Sequence, residues 1–274
     1  MKDFAGPETR KQSPDHRVAV RCRDIEIGED NFVVIAGPCA VEDLDQALAA
    51  ARVVEEAGAK VFRASLFKPR TSPYSFQGIG AKGIPILDAI REETGLLLES
   101  EVLSLAHLEL LHDHVDMVRV GARGMRNYEL LKEVGKTEKP IILKRGMSAT
   151  LEDFLLAAEY VLVGGNRNVV LCERGIRTFE TYTRNTLDIL AVPALKELTF
   201  LPVIVDPSHS SGRSSLVGPA SRAALAAGAD GIIVEVHPNP SAALSDGDQS
   251  LDLKAFLGLM EELKKLAEAM GKSL

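Results

Sequence analysis

The chain has 274 residues, 46% of them hydrophobic and 26% charged, and carries a net charge of −7. That is an ordinary globular composition, and its acidity argues against a nucleic-acid partner, which needs a basic surface to displace counterions. No apolar stretch approaches the ~20 residues that cross a bilayer and no signal-like segment follows Met1, so no membrane partner is expected.

Residues 1–16 (MKDFAGPETRKQSPDH) are polar and interrupted by Pro and Gly, and are expected to form a disordered arm. The rest, 17–274, reads as one domain. VAVRCRDIEI alternates apolar and polar residues and runs into Gly28-Glu29-Asp30-Asn31, the pattern of a short hairpin with one solvated face. Such a hairpin would close the bottom of a barrel. Eight apolar, β-branched runs follow, each ending in residues that can do chemistry. They are FVVIAGPC (32–39), KVFR (60–63), LLLESE (96–101), MVRVGAR (117–123), IILK (141–144), VVLCER (169–174), VIVDPSH (203–209) and IIVEVH (232–237).

Helical patterns lie between the runs. Pro85 sits at a helix start, and Pro193 is expected to do the same before Ala194 to Leu198. Thr150 and Asp153 make a capping box ahead of a stripe of Leu151, Phe154, Leu155, Ala158 and Leu162, which Gly164-Gly165 stops. A last helix is expected over 253–270. Strict alternation of strand and helix favours a parallel sheet with crossover helices. Eight units give a single (β/α)8 TIM barrel in the α/β class, with the N-terminal hairpin as an extension. The chemistry of that fold stands on its C-terminal face.

Two groups of residues converge there. Cys39, His209 and Glu235 stand at the ends of barrel strands 1, 7 and 8, and Asp246 lies in the loop beyond strand 8. Taken singly, each reads as a packed thiol or a loop anchor. Together they form a thiolate, imidazole and carboxylate set suited to a divalent transition metal. Arg63, Lys68, Arg70, Arg123, Lys144 and Arg174 follow buried strands, where an unpaired charge is costly. Either structural carboxylates such as Glu99, Glu101 and Glu173 meet them, or a phosphorylated or carboxylate ligand does. Gly121 to Arg123 adds small residues whose backbone can approach a phosphate.

Other signals are discounted. GIGAKG (78–83) matches a dinucleotide fingerprint literally, but no buried strand precedes it. His107, His112 and His114 have the wrong spacing for one helical face and read as surface residues. Cys172 shares the inward parity of Val170 and Arg174 and reads as barrel packing. With Cys22 and Cys39 it makes an odd, widely spaced set, poor as a disulfide framework and at home in a reducing cytoplasm.

KPRTSPYSFQG, LKRGMSAT, ERGIRTFETYTRNTLDI, DPSHSSGR and EVHPNPSAALSDGDQSL together resemble 3-deoxy-D-arabino-heptulosonate 7-phosphate (DAHP) synthase in its compact, barrel-only microbial form. The resemblance runs from about Val18 to Leu253. It implies condensation of phosphoenolpyruvate with erythrose 4-phosphate, the first step of the shikimate route to aromatic amino acids. It makes Cys39, His209, Glu235 and Asp246 the ligands of a divalent ion, manganese first, with iron, cobalt or zinc as alternatives. Arg63, Lys68, Arg123, Lys144 and Arg174 would hold phosphoenolpyruvate. Arg70 and Thr71 would hold the aldose phosphate, helped by Ser211 and Arg213. Lys68, with Cys39 and His209, is the catalytic candidate, because a lysine among other cations gives up its proton more readily.

The family usually forms homodimers or homotetramers. Lacking an added regulatory domain, this chain is expected to ignore Phe and Tyr by itself, with a partner in trans as the route to regulation. Two departures stand out. Arg119 replaces a neutral Gln of the common pattern, and Ala64-Ser65-Leu66 replaces a Gly-rich stretch. The nearest rival is 3-deoxy-D-manno-octulosonate 8-phosphate synthase, whose second-strand loop reads K-A-N-R-S where this chain has KPRTS. A catalytically silent metabolite-binding barrel would show a missing ligand or cation, and none is missing.

Overall fold

The expected alternation of strand and helix is realised eight times. In this computed structural model, which describes residues 5–28 and 30–274, two short strands come first, β1 (Val20–Cys22) and β2 (Ile25–Ile27). The barrel strands are β3 (Val33–Gly37), β4 (Val61–Arg63), β5 (Leu97–Val102), β6 (Met117–Val120), β7 (Ile141–Lys144), β8 (Val169–Glu173), β9 (Val203–Val205) and β10 (Gly231–Glu235). All are parallel and close in sequence order, β10 pairing with β3. Around them stand α1 (Leu44–Glu56), α2 (Ile84–Thr94), α3 (Leu105–Leu111), α4 (Tyr128–Val134), α5 (Leu151–Val163), α6 (Ala191–Leu198), α7 (Pro207–Ser211), α8 (Ser214–Ala226) and α9 (Leu253–Ala269).

Side chains of period 2 fill the barrel in layers. Ile35, Val61, Leu97, Met117, Ile142, Val170, Ile204 and Ile233 form the lower, apolar layer, and Cys172, two residues beyond Val170 and level with Lys144, packs on it. Antiparallel β1 and β2 pack Val20, Cys22, Ile25 and Ile27 against that layer from below and seal it. Cys172 is packing material, as its parity indicates. Two residues further along the strands the same face turns polar: Arg63, Glu99, Arg119, Lys144, Asp206 and Glu235 stand above the apolar floor, all buried. The change from oil to charge within one strand puts the chemistry at the C-terminal face.

Some local details differ from expectation. The box of Thr150 and Asp153 caps α5, each side chain bonding the other's backbone. Helix α6, however, starts at Ala191, so Pro193 occupies its first turn, where a missing N–H still costs nothing. His209 is not on a strand: β9 ends at Val205 and His209 belongs to α7, whose N-cap is Asp206. Of the arm expected over 1–16, residues 1–4 lie outside the described residues, as does Glu29 of the hairpin turn. Residues 5–16 rest on the barrel. The backbone N–H groups of Glu8 and Thr9 donate to the Glu159 carboxylate of α5 at 2.7 and 2.9 Å, and Thr9 is buried. A single carboxylate that collects two backbone donors anchors a segment whose composition reads as a loose arm.

Candidate active site

The site is an open cavity of about 400 Å³ at the C-terminal ends of the strands, with nine cations in its lining: Arg63, Lys68, Arg70, Arg119, Arg123, Lys144, Arg174, Arg177 and Arg184. Thr71, Glu101, His209 and Asp246 line it too. Ser211 and Arg213 do not. Ser211 Oγ donates to the Pro207 carbonyl, and Arg213 donates to the Tyr182 carbonyl with its guanidinium over the Tyr182 ring.

Cys39, His209, Glu235 and Asp246 come together on one side of the cavity, with one donor atom from each lying within 4.8 Å of all the others. Cys39 Sγ is 3.1 Å from Asp246 Oδ2; His209 Nε2 is 3.3 Å from Glu235 Oε1 and 3.9 Å from Asp246 Oδ2. Three of the four are held from behind. Asp206 accepts from the His209 backbone N–H at 2.8 Å, and its other oxygen stands 2.8 Å from His209 Nδ1. Gln249 donates to Glu235 Oε2 at 2.6 Å, and Arg184 donates to Asp246 Oδ1 at 3.1 Å. Asp246 itself takes a left-handed conformation, φ 55°, which Asp tolerates better than most residues.

Burial pushes His209 down to about 4, against the pull of Asp206 and Glu235. The imidazole is therefore neutral at pH 7, and Asp206 favours the tautomer that leaves Nε2 free to ligate. Burial, then Glu235, pushes the Cys39 thiol up to about 12, so ligation would expel its proton. Burial works against ionisation of Asp246 and Glu235 as well. His209, protonated in the acid range where these carboxyls titrate, outweighs it together with Arg184 at Asp246 and with Arg63 at Glu235, and both carboxyls lie below their ordinary range. A soft thiol, an imidazole and two ionised carboxylates at this spacing fit a borderline divalent metal.

The cations divide by depth. Four buried ones meet four buried carboxylates: Arg63 contacts Glu235 at 3.2 Å, Lys68 lies 3.9 Å from Glu101, Lys144 pairs with Asp206, and Arg119 reaches Glu99 at 3.3 Å and Glu101 at 3.5 Å. These eight formal charges cancel. Glu173 takes no part, being paired with Arg145 at 2.8 Å. Burial pulls the Arg174 guanidinium down, and its Nη1 has no hydrogen-bond partner among the described residues. At the mouth, Arg70 is half-buried and Arg123 and Arg177 are exposed, with no acidic partner among the described residues. An anionic ligand is what these four lack.

The two departures noted in the sequence meet here. Arg119 Nη2 donates to Ser65 Oγ at 2.5 Å. Its charge is absorbed by Glu99 and Glu101, so the neutral floor gains none. Sequence reasoning missed Asp206, Gln249, Arg177 and Arg184. Arg177 and Arg184 stand in a quoted motif, three and ten residues past Arg174. Asp206 and Gln249 work through other residues and carry no signature of their own.

A (β/α)8 barrel with a quartet of residues that could hold a metal beside a cationic cavity defines a class of enzymes built to act on anionic substrates at the strand ends. The chain belongs to the DAHP synthetase I family, whose model matches residues 8–271. Phospho-2-dehydro-3-deoxyheptonate aldolase of Thermotoga maritima is 51% identical over 248 residues, covering 90% of this chain and 73% of the relative. A crystal structure under that name from the same organism superposes with a TM-score of 0.93 at 48% identity, over 97% of this chain and 78% of that one. A truncated form of 3-deoxy-D-arabino-heptulosonate 7-phosphate synthase from T. maritima gives 0.90 at 44% identity, over 97% of both chains. 2-Dehydro-3-deoxyphosphooctonate aldolase of Koribacter versatilis, a protein named for the rival reaction, is 32% identical over 91% of this chain and 96% of the relative.

Proposed function

We propose that the cavity condenses phosphoenolpyruvate with erythrose 4-phosphate and water, giving DAHP and inorganic phosphate at the head of the shikimate pathway. The observation that carries this reading is the adjacency of the Cys39, His209, Glu235 and Asp246 quartet to a cavity whose unpaired cations need an anion. Membership of the family supports the same reaction.

Arg63, Lys68, Lys144, Arg123 and Arg174 hold phosphoenolpyruvate against the floor. Arg70 and Thr71, at the mouth, hold the aldose phosphate, so the aldehyde end points inward. Ser211 and Arg213 can help only from outside the cavity lining. Cys39, His209, Glu235 and Asp246 would hold a divalent ion, manganese by preference and iron, cobalt or zinc otherwise, which would supply Lewis acidity at the aldehyde carbonyl. Carbon 3 of phosphoenolpyruvate forms the new bond to the aldehyde carbon, and carbon 2 becomes electron-poor. Water adds to carbon 2, and phosphate leaves with cleavage of its C–O bond. Lys68 Nζ donates to the Cys39 carbonyl at 2.9 Å, which keeps an ammonium beside the quartet to hand a proton to the carbonyl-derived oxygen. Homodimeric or homotetrameric assembly and a cytoplasmic location complete the reading. Phe179 and Tyr74 on the mouth loops are 99% and 96% exposed, the kind of surface another protein covers.

Product analysis with phosphoenolpyruvate and each candidate aldose phosphate, before and after chelation, tests this. Heptulosonate product that disappears on chelation and returns with added Mn²⁺ is expected. Turnover unaffected by chelation would overturn the ligand assignment, and a preference for arabinose 5-phosphate would overturn the choice of acceptor.

A further inference from the structure

Lys68 has two claims on its charge. Its ammonium is needed for phosphoenolpyruvate, yet Glu101 Oε2 stands only 3.9 Å away. Glu101 is ionised: burial opposes this, but Arg119 and then Lys68 hold its carboxyl below the usual range. A carboxylate this near would close onto the ammonium and neutralise it unless something else held it.

Arg119 does. Its guanidinium, 1% exposed, spans three acceptors, two on the neighbouring strand β5 and one in the loop after β4. Nη1 faces Glu99 at 3.3 Å, while Nη2 is shared between Ser65 Oγ at 2.5 Å and Glu101 Oε2 at 3.5 Å. Strand register sets Arg119 directly opposite Glu101. Gly121 leaves room for the carboxylate on that side, since a Cβ there would fall 2.0 Å from Glu101 Oε1. Nη2 is thus committed to protein acceptors, whereas Nη1, 3.3 Å from Glu99, makes only an ion-pair contact and no hydrogen bond among the described residues.

We infer that Arg119 is a positioning residue for phosphoenolpyruvate binding: it holds Glu101 off Lys68 and so keeps the Lys68 ammonium available to the incoming anion. This rests on the proposed function. Glu99 is the ballast of the device. Its carboxylate is fully buried and balances the charge Arg119 brings in.

The design suggests the experiment. Arg119→Gln alone strands Glu99 as an unpaired buried charge, so the informative variant is Glu99→Gln/Arg119→Gln, which removes both charges together. Phosphoenolpyruvate binding is measured by calorimetry on the Mn²⁺-loaded protein, with kcat at saturating substrate and the melting temperature alongside. The double variant is expected to melt near the parent, bind phosphoenolpyruvate about tenfold more weakly, the scale of one charged hydrogen bond, and keep its kcat. Arg119→Lys, which preserves charge and fold, should show a smaller weakening, because a point ammonium cannot span all three acceptors. Parental affinity in either variant, or a fall in kcat at unchanged affinity, would overturn the inference. Failure of the parent to bind phosphoenolpyruvate would overturn the proposed function first and this inference with it.

Discussion

Asp206→Asn separates what the proposed metal quartet owes to its four members from what it owes to the residue behind them. Asp206 is fully buried and ionised, burial being outweighed by His209 and Lys144. It makes three contacts: one oxygen accepts from the His209 backbone N–H at 2.8 Å, and the other meets His209 Nδ1 at 2.8 Å and the Lys144 ammonium. Asparagine keeps the first, so the cap of α7 survives. It turns the second into an NH2 group that faces two other donors. Loss of a carboxylate behind a ligating histidine costs about 10- to 100-fold in metal affinity, which is about 1.4 to 2.8 kcal/mol. Stranding a buried Lys144 adds a penalty to the fold itself, up to about 3–5 kcal/mol where water cannot reach; the adjoining cavity should lower it. Co²⁺ titration against a competing chelator reads the first effect, and thermal unfolding of the metal-free protein reads the second. A folded Asp206→Asn protein that binds Co²⁺ as tightly as the parent would refute the role given to Asp206.

Two further substitutions probe opposite ends of the barrel. Arg70→Ala removes one of the free guanidiniums at the mouth and is expected to raise KM for the aldose phosphate about tenfold or more, with KM for phosphoenolpyruvate little changed; initial-rate kinetics in each substrate check this. Ile27→Ala empties part of the hairpin plug, where Ile27 is fully buried, and should cost about 2–5 kcal/mol of stability without altering kcat at 25 °C, as melting curves and turnover of the folded protein would show.

Much of this was legible in the residues. Apolar runs ending in polar residues gave eight strands and their chemical end, because burial of a parallel strand on both faces leaves an uninterrupted signal. Cys39, Glu235 and Asp246 converge because β3 and β10 are neighbours in a closed ring. His209 was legible as a site candidate but not in its setting: a five-residue helix has too little periodicity to announce itself. Glu99, Glu101 and Arg119 each looked purposeless alone. Their meaning lies in the pairing of β5 with β6, which no single segment encodes. Residues 5–16 misled for a related reason. What holds them is Glu159, some 150 positions away.

The balance of charge by depth has a consequence for the surrounding solution. Dissolved ions screen exposed charges over roughly 8–10 Å, and they can approach Arg70, Arg123 and Arg177 at the rim. The eight cancelling charges beneath are largely buried and carry no net charge to attract a counterion. Ionic strength therefore weakens the attraction that draws substrates from bulk water and leaves the floor untouched. In this barrel, arrival is sensitive to salt; the geometry that awaits the substrates is not.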